Sequence, residues 1–381
     1  MSASPARIKV LTLVDILPRG GGAERLLTGI ATHLPRDRFE VVVATTRPTD
    51  GPLLHAVLDA GLDHVALDRR HTLDPDSFRR LLALMRERQF DVLHAHKFGS
   101  NVWGTLFGRL ARVPVVIAHE HTWSYEGRPV RRIVDGQFIG RYADAFVAVS
   151  TRDRDRMISV EGVPPDKIVL MPNAYIPRPG VAVGDLRAEL GLDASVPLVG
   201  TASVFRPQKA LWVLLEAFAR VLRSRPDARL VLAGGGPTED ALRRLAAERG
   251  IADSVHFLGY RQDMTGFLRA IDVAAMSSDF EGTPLLLFEC MAHGTPLVAT
   301  DVGGIRDVLE DGRSVSLVPR RDPVALAGAI EALLRDAARR DQMARAAAEQ
   351  LPRYEIDQVA EEFAALYERL LARSTRRTIA A

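Results

Sequence analysis

Two glutamates eight residues apart frame the most chemically suggestive segment of the chain, Glu281-Gly-Thr-Pro-Leu-Leu-Leu-Phe-Glu289. Gly282, Thr283 and Pro284 are residue types that start helices, and proline fits a first turn because its missing N–H would be unpaired there anyway. The spacing predicts Glu281 just ahead of a helix and Glu289 two turns inside it. The free backbone N–H groups near Leu285 and Leu286 can then hold an anion such as a phosphate. Each carboxylate can accept hydrogen bonds from sugar or ribose hydroxyls. Glu289 stands within Leu-Leu-Phe-Glu-Cys-Met, which is not the composition of a solvated helix face.

Three more segments have residue types suited to a diphosphate. Gly20-Gly21-Gly22-Ala23-Glu24 follows an apolar run and opens a helical pattern, so its backbone can approach a phosphate closely. It is not a dinucleotide fingerprint: the third glycine is missing, and no acidic residue ends the next strand, Val43-Ala44-Thr45-Thr46. Lys209 follows a strand pattern at 198–202, where a lysine can offset charge developing on a leaving diphosphate. Arg206 lies in the same short segment. Leu232-Ala-Gly-Gly-Gly-Pro237, with Gly235 at its centre, closes another strand.

Histidines gather at strand ends in the first half: His94 and His96, then His119 and His121. Asp74-Pro-Asp76 and Asp153-Arg-Asp155 offer metal-like spacing, but each sits where a helix begins, and carboxylates are usual in first turns. No His/Cys cluster suggests zinc.

The elements that position these residues follow a repeating rhythm. Strand patterns at 8–14, 40–44, 91–95, 115–118 and 145–149 alternate with helical patterns at 23–33, 78–88 and 101–111. A segment rich in Pro and Gly, 171–180, reads as a linker. The rhythm then restarts, with strands at 198–202, 229–233, 255–258, 273–276 and 297–299 and helices at 211–224 and 239–249. Near-continuous Val/Ile/Leu strands between helices indicate parallel sheets covered on both faces. The expected class is α/β, with two Rossmann-like doubly wound domains at 1–178 and 184–350 facing across a cleft. Ligands in such sheets sit at the carboxyl ends of the strands. Residues 323–349 read as helical, and an amphipathic helix at 360–372 ends the pattern.

A chain of 381 residues is too long for one core, which agrees with two domains. A net charge of +2 gives no sign of nucleic-acid binding, and the single cysteine, Cys290, excludes an intrachain disulfide and fits a reducing cytosol. The apolar run at 8–17 contains Lys9 and Asp15 and reads as a buried strand rather than a signal peptide. No stretch is long and apolar enough for a membrane span.

Glu281 to Gly294, Glu-Gly-Thr-Pro-Leu-Leu-Leu-Phe-Glu-Cys-Met-Ala-His-Gly, closely resembles the E-x7-E signature of family-4 glycosyltransferases of the GT-B fold, the glycosyl transferases group 1. The resemblance continues through Thr295-Pro-Leu-Val-Ala-Thr-Asp-Val-Gly-Gly-Ile-Arg-Asp-Val-Leu309. It implies that Glu281 contacts the donor sugar and Glu289 the nucleotide ribose. Gly21 and Gly22 belong to a segment resembling the family's GGxE loop, which borders the donor's phosphates and sugar. Lys209 resembles the lysine of R-x4-K-G. Here the arginine position is Val204 and the glycine position Ala210, so Arg206 is the candidate replacement cation. Gly235 lies in the turn that lets backbone approach the nucleotide, and Tyr260 and Arg261 match the segment flanking the base. His119 resembles the active-site histidine near the donor sugar, with His121 the runner-up and His96 on the acceptor side.

The resemblance implies retention of anomeric configuration with neither cofactor nor metal, the leaving diphosphate helping to take the acceptor proton. Expected partners are a UDP- or GDP-linked sugar and a glycan or lipid-linked acceptor. The expected location is the cytoplasm. A basic, apolar segment with Trp123, Tyr125, Arg128, Arg131, Arg132, Ile133, Phe138 and Arg141 suggests peripheral contact with the inner membrane face. The resemblance also implies that the last helix, 352–375, crosses back to the first domain. A nucleotide-sugar epimerase on the same fold and a non-catalytic sugar-nucleotide-binding protein are the competing readings, while the missing fingerprint disfavours a dehydrogenase.

Overall fold

The computed structural model describes residues 6–18, 21–122, 129–178 and 180–380. It divides into two compact units, Met1–Ile176 with Glu355–Ala381, and Pro177–Tyr354. Gly20, Trp123, Tyr125 and Arg128 lie outside the described residues.

The first unit is built on seven strands: β1 (Ile8–Val14), β2 (Phe39–Thr45), β3 (Asp63–Ala66), β4 (Val92–His96), β5 (Val115–Glu120), β6 (Ala145–Ala148) and β7 (Ile168–Leu170). Their order is β3-β2-β1-β4-β5-β6-β7, and every pairing is parallel. Successive side chains feed opposite faces. Val10, Val41, Val43, Val92 and Ile117 enter one core, and Leu11, Leu13, Val42, Leu93 and Val116 enter the other. Burial on both faces explains the near-continuous apolar runs.

Helix Ile356–Ala380 covers part of the first face, with Val359, Phe363, Leu366, Tyr367 and Leu370 buried in that core. Burying a side chain of this kind contributes roughly 1.5–3 kcal/mol, so these residues anchor the C-terminal helix on the first unit.

The second unit has six parallel strands: β8 (Leu198–Val204), β9 (Arg229–Gly235), β10 (Val255–Gly259), β11 (Val273–Met276), β12 (Leu297–Thr300) and β13 (Ser316–Val318). Their order is β10-β9-β8-β11-β12-β13. The order reverses between β1 and β4 in one sheet and between β8 and β11 in the other, where a crevice opens at the strand ends.

Some local expectations change. The pattern at 323–349 is two helices, Pro323–Arg335 and Ala337–Ala348, because Asp336 ends the first and caps the second by accepting from the Arg339 amide. The helix after Glu281 starts one residue later than a proline in its first turn would require. Pro284 is its extended cap residue, so Glu289 lies about one turn inside rather than two. Asp74 and Ser150 cap helices, accepting from the amides of Asp76 and Ser77 and of Asp153. Among the described residues no helix is long and apolar enough to cross a membrane.

Candidate functional site

At the β8–β11 reversal two loops are tied together by their polar groups. Lys209 ends a short turn after β8, and its Nζ lies 2.5 Å from Glu281 Oε1. Ser278 Oγ donates to the same oxygen at 2.6 Å. Ser277 Oγ is 3.1 Å from the carbonyls of Lys209 and of Ala210, and the Asp279 amide donates to the Gln208 carbonyl at 2.8 Å. A buried charge is stable only when paired and hydrogen-bonded, and Glu281 is both, at 7% exposure.

Arg206 is extended, as a residue before proline should be. It is exposed, and among the described residues it makes no ion pair. The loop therefore holds one engaged cation and one unengaged one.

Ala210, at the position where the resemblance leads one to expect glycine, adopts the left-handed conformation with φ 43° and ψ 40°. A Cβ there costs on the order of 1–2 kcal/mol, so the chain keeps the turn although it has lost the residue that forms it freely.

Helix Leu285–His293 follows Glu281 after three residues. The amides of Leu285 and Leu286 occupy its first positions, where no carbonyl one turn back is available within the helix. Gly303, at φ 57°, seats the loop after β12 against Glu281 and Gly282; a Cβ would come within 2.3 Å of the Glu281 carbonyl oxygen. Glu289 is buried, and Arg178 Nη2 lies 3.1 Å from its Oε1. Arg178 also donates to the Arg261 and Gln262 carbonyls at 3.4 and 3.3 Å. The guanidinium thus ties the Glu289 helix to the segment holding Tyr260 and Arg261.

Tyr260 is exposed, while Arg261 Nη1 reaches both Glu189 carboxylate oxygens at 2.9 Å. Around Gly235 the flanking glycines serve packing. Gly234 (φ 122°) and Gly236 (φ 155°) lie so near Ser203 and Phe205 that a Cβ would meet their backbone oxygens at 1.9 and 2.6 Å. Sequence reasoning missed Arg178, which lies in the segment read as a linker, and missed the strand-end serines Ser277 and Ser278.

The β1–β4 reversal in the first unit carries a similar pair with the roles exchanged. Gly21 and Gly22 open helix Gly22–His33, and Glu24 in its first turn lies 2.6 Å from Lys97 Nζ, just after β4. In the first unit the glutamate follows the first strand and the lysine the fourth. In the second unit the lysine follows the first strand and the glutamate the fourth.

Beside Lys97, parallel pairing sets His96 opposite His119 and brings four histidines onto one face of the sheet. Nitrogens of His94, His96 and His119 fall within 4.8 Å of one another, a constellation that sequence spacing did not reveal. His94 Nε2 lies 3.2 Å from His119 Nδ1, and His96 Nδ1 lies 3.1 Å from His121 Nε2. Ring centroids in both pairs are 5.3 Å apart, and each facing pair of nitrogens is within the reach of an N–H···N hydrogen bond.

Burial holds all four histidines neutral. His94 and His121 are pushed down to about 3, and His96 and His119 well below the usual value. His119, which the resemblance sets near the donor sugar, is fully covered in the ligand-free chain, and His121 is 8% exposed.

The family models match across both units: Glycosyltransferase Family 4 over residues 20–177 and Glycosyl transferases group 1 over residues 196–336. A D-inositol 3-phosphate glycosyltransferase of Nocardia farcinica is 32% identical over 358 residues, covering 88% of this chain and 77% of the relative. The chain belongs to the family-4 glycosyltransferases. A second relative of the same name, from Kineococcus radiotolerans, is 30% identical and covers 86% of each chain.

Solved structures share the family fold. Anabaena HepE in complex with UDP-glucose matches with a TM-score of 0.83 at 21% identity, covering 95% of this chain and all of that one. Sucrose-phosphate synthase from Thermosynechococcus elongatus matches with a TM-score of 0.77 at 21% identity, covering 96% of this chain and 99% of that one. The two Rossmann-like units are those of the GT-B fold, and the chain is a family-4 glycosyltransferase.

Proposed function

We propose that the chain is a retaining glycosyltransferase moving a sugar from a UDP- or GDP-linked donor to an acceptor hydroxyl, without a metal ion, in cell-surface glycan or glycolipid synthesis. The observation that supports it best is the fixed Lys209–Glu281–Ser278 cluster in the loop leading to the N-terminus of helix Leu285–His293. A lysine, an unengaged Arg206 and two helix-terminal amides suit a leaving diphosphate, whose charge grows as the bond breaks. Glu281 is the carboxylate for the sugar hydroxyls and Glu289 the one for the ribose.

In the step we propose, the bond from the anomeric carbon to the diphosphate breaks and its electron pair stays on the phosphate oxygen. The acceptor oxygen bonds to the same face of the sugar. The hydroxyl proton passes to the departing phosphate oxygen, so no protein nucleophile is required.

The acceptor in this reading is a hydroxyl of a glycan or lipid-linked sugar. The relatives named for D-inositol 3-phosphate supply the competing acceptor. Incubation with UDP-glucose and related donors plus each acceptor class, with NMR of the product anomer, tests the reading. An α-linked product from an α-linked donor is expected, at a rate unchanged by EDTA. A β-linked product overturns retention, and loss of rate in EDTA overturns metal independence. Epimerised sugar released without any acceptor favours the epimerase, and donor binding without turnover favours the binding protein.

A further inference from the structure

The four-histidine face has an inner layer that the proposed transfer does not by itself require. His94 Nδ1 lies 2.7 Å from the Tyr367 hydroxyl of the C-terminal helix, and its Nε2 faces His119 Nδ1. Tyr367, His94 and His119 are fully buried, and the Tyr367 hydroxyl has no other partner among the described residues. His119 Nε2 is buried without a hydrogen-bond partner. The His119 backbone is held by Asn101, whose side chain donates to its carbonyl and accepts from its amide, each at 3.2 Å. The ring therefore cannot shift far to find a partner of its own.

Each neutral imidazole has one N–H and one lone pair, so a chain of such rings has two polarities. In one, Tyr367 donates to His94 Nδ1, His94 donates from Nε2 to His119 Nδ1, and the unpaired hydrogen falls on His119 Nε2. In the other, every bond reverses, and the unpaired hydrogen falls on a phenol packed against Phe39 and Phe363. A buried donor without an acceptor is costly. At the phenol end the surroundings are aromatic and closed. At the His119 end the ring stacks 4.2 Å from His121, the histidine of the four that reaches solvent. The short O···N contact also fits a phenol donating to an imidazole lone pair, the better acid meeting the better base.

We propose that Tyr367 is a positioning residue whose hydroxyl, acting through His94, holds His119 in the tautomer with hydrogen on Nε2, ready to donate to a substrate hydroxyl oxygen. This rests on the reading of the histidine face as the side that meets sugar hydroxyls. Binding would move the His121 ring aside, and the substrate oxygen would satisfy the hydrogen left unpaired at the His119 end of this chain. Burial lowers the proton affinity of both rings, so the chain stays neutral and keeps its two-state polarity at neutral pH.

The test is long-range 1H–15N NMR of the full chain labelled at histidine, with His119 assigned by a His119→Gln variant. In the ligand-free protein His119 should show hydrogen on Nε2, and Tyr367→Phe should convert it to a tautomer mixture while the fold, followed by near-UV dichroism, persists. His94→Gln keeps the direction of donation, its carbonyl accepting from Tyr367 and its amide donating to His119, and should retain the single tautomer. Hydrogen on His119 Nδ1 in the unmodified protein overturns the proposal, as does an unchanged tautomer in Tyr367→Phe. In the transfer assay, Tyr367→Phe should lower kcat about tenfold with little change in donor KM, the effect of losing one net hydrogen bond that orients His119 in the transition state. His94→Gln should stay within about threefold, and equal losses in both variants would overturn the positioning role. The NMR arm needs no turnover, so failure of the transferase reading would leave it standing and would show only in the kinetic arm.

Discussion

The residues of the β8–β11 crevice make separable contributions that their present partners already suggest. Glu289 is buried and held by Arg178, so removing it takes away a ribose acceptor and leaves a guanidinium unbalanced. Glu289→Ala should weaken UDP binding by about 1–3 kcal/mol, the range for a hydrogen bond to a charged group. Glu281→Ala frees Lys209 from its carboxylate. It should leave UDP affinity unchanged or slightly tighter while impairing sugar transfer. Calorimetry with UDP beside turnover separates the two, and an equal loss of UDP affinity in both variants would refute the division of roles.

Arg206 belongs to the same scale. Lys209 is committed to Glu281 before any ligand arrives, whereas Arg206 is extended, exposed and uncommitted in a turn that has lost its family arginine at Val204. Arg206→Ala should lower turnover at saturating donor by one to two powers of ten, roughly 1.4–2.7 kcal/mol in the barrier. Stability should change by no more than about 0.5 kcal/mol, the usual span for an exposed site. Unchanged turnover in Arg206→Ala beside a crippled Lys209→Ala would show that the helix amides and Lys209 suffice.

At the scale of elements, β4, β5 and the residue just after β5 carry a pH liability. Their four histidines have folded proton affinities lowered by burial, and Lys97 adds to the effect at His121. A group lowered in the folded state binds its proton in the unfolded chain first. Its stabilising contribution is present above about pH 6.5 and is lost as pH falls below that towards the folded value. Going from pH 7.5 to 5.5 should therefore destabilise the first unit by on the order of 1 kcal/mol per histidine. Thermal melts at the two pH values, with His121→Gln reducing the difference, check it. A melting point independent of pH over this range would mean that the histidines are not dry.

These elements also show what a sequence can and cannot disclose. Central strands such as Ile8–Val14 and Val273–Met276 are legible to the residue, because burial on both faces favours a nearly continuous apolar run. The strands missed are Asp63–Ala66, Ile168–Leu170 and Ser316–Val318; all three lie at sheet edges and are only three or four residues long, too short for a period to show. The Glu281 and Glu289 spacing was visible as local chemistry. Arg178 was hidden in a stretch whose prolines and glycines look like linker. The histidine array was hidden for another reason: each His-x-His pair is local, but the register that sets His96 opposite His119 is a property of two strands and the helix between them. Tyr367, from the far end of the chain, is further still from anything spacing can reveal.

At the scale of the whole molecule, the remaining question is how the acceptor is met. Helix Pro129–Ile133 presents Val130 at 72% and Ile133 at 58% exposure, with Tyr142 exposed nearby in sequence. Large aliphatics exposed to this degree cost free energy in water, roughly 1.5–3 kcal/mol each relative to full burial. Arg132 and Arg141 are exposed, whereas Arg131 is turned to Glu120 at 3.0 Å and is excluded from any outward-facing charge. Two basic residues near an anionic surface add about 1 kcal/mol each, and two partly inserted aliphatics a comparable amount, so the sum gives weak, reversible adsorption rather than anchoring. The expected outcome is co-sedimentation with vesicles containing anionic phospholipid at low salt, lost at high salt, where the attraction is screened. Arg132→Glu with Arg141→Glu should abolish it without lowering turnover on a soluble acceptor, and Val130→Ser with Ile133→Ser should weaken it at every ionic strength. If the protein stays in the supernatant with anionic vesicles at low salt, the acceptor reaches this enzyme in solution, and the exposed aliphatics must be explained without a lipid surface.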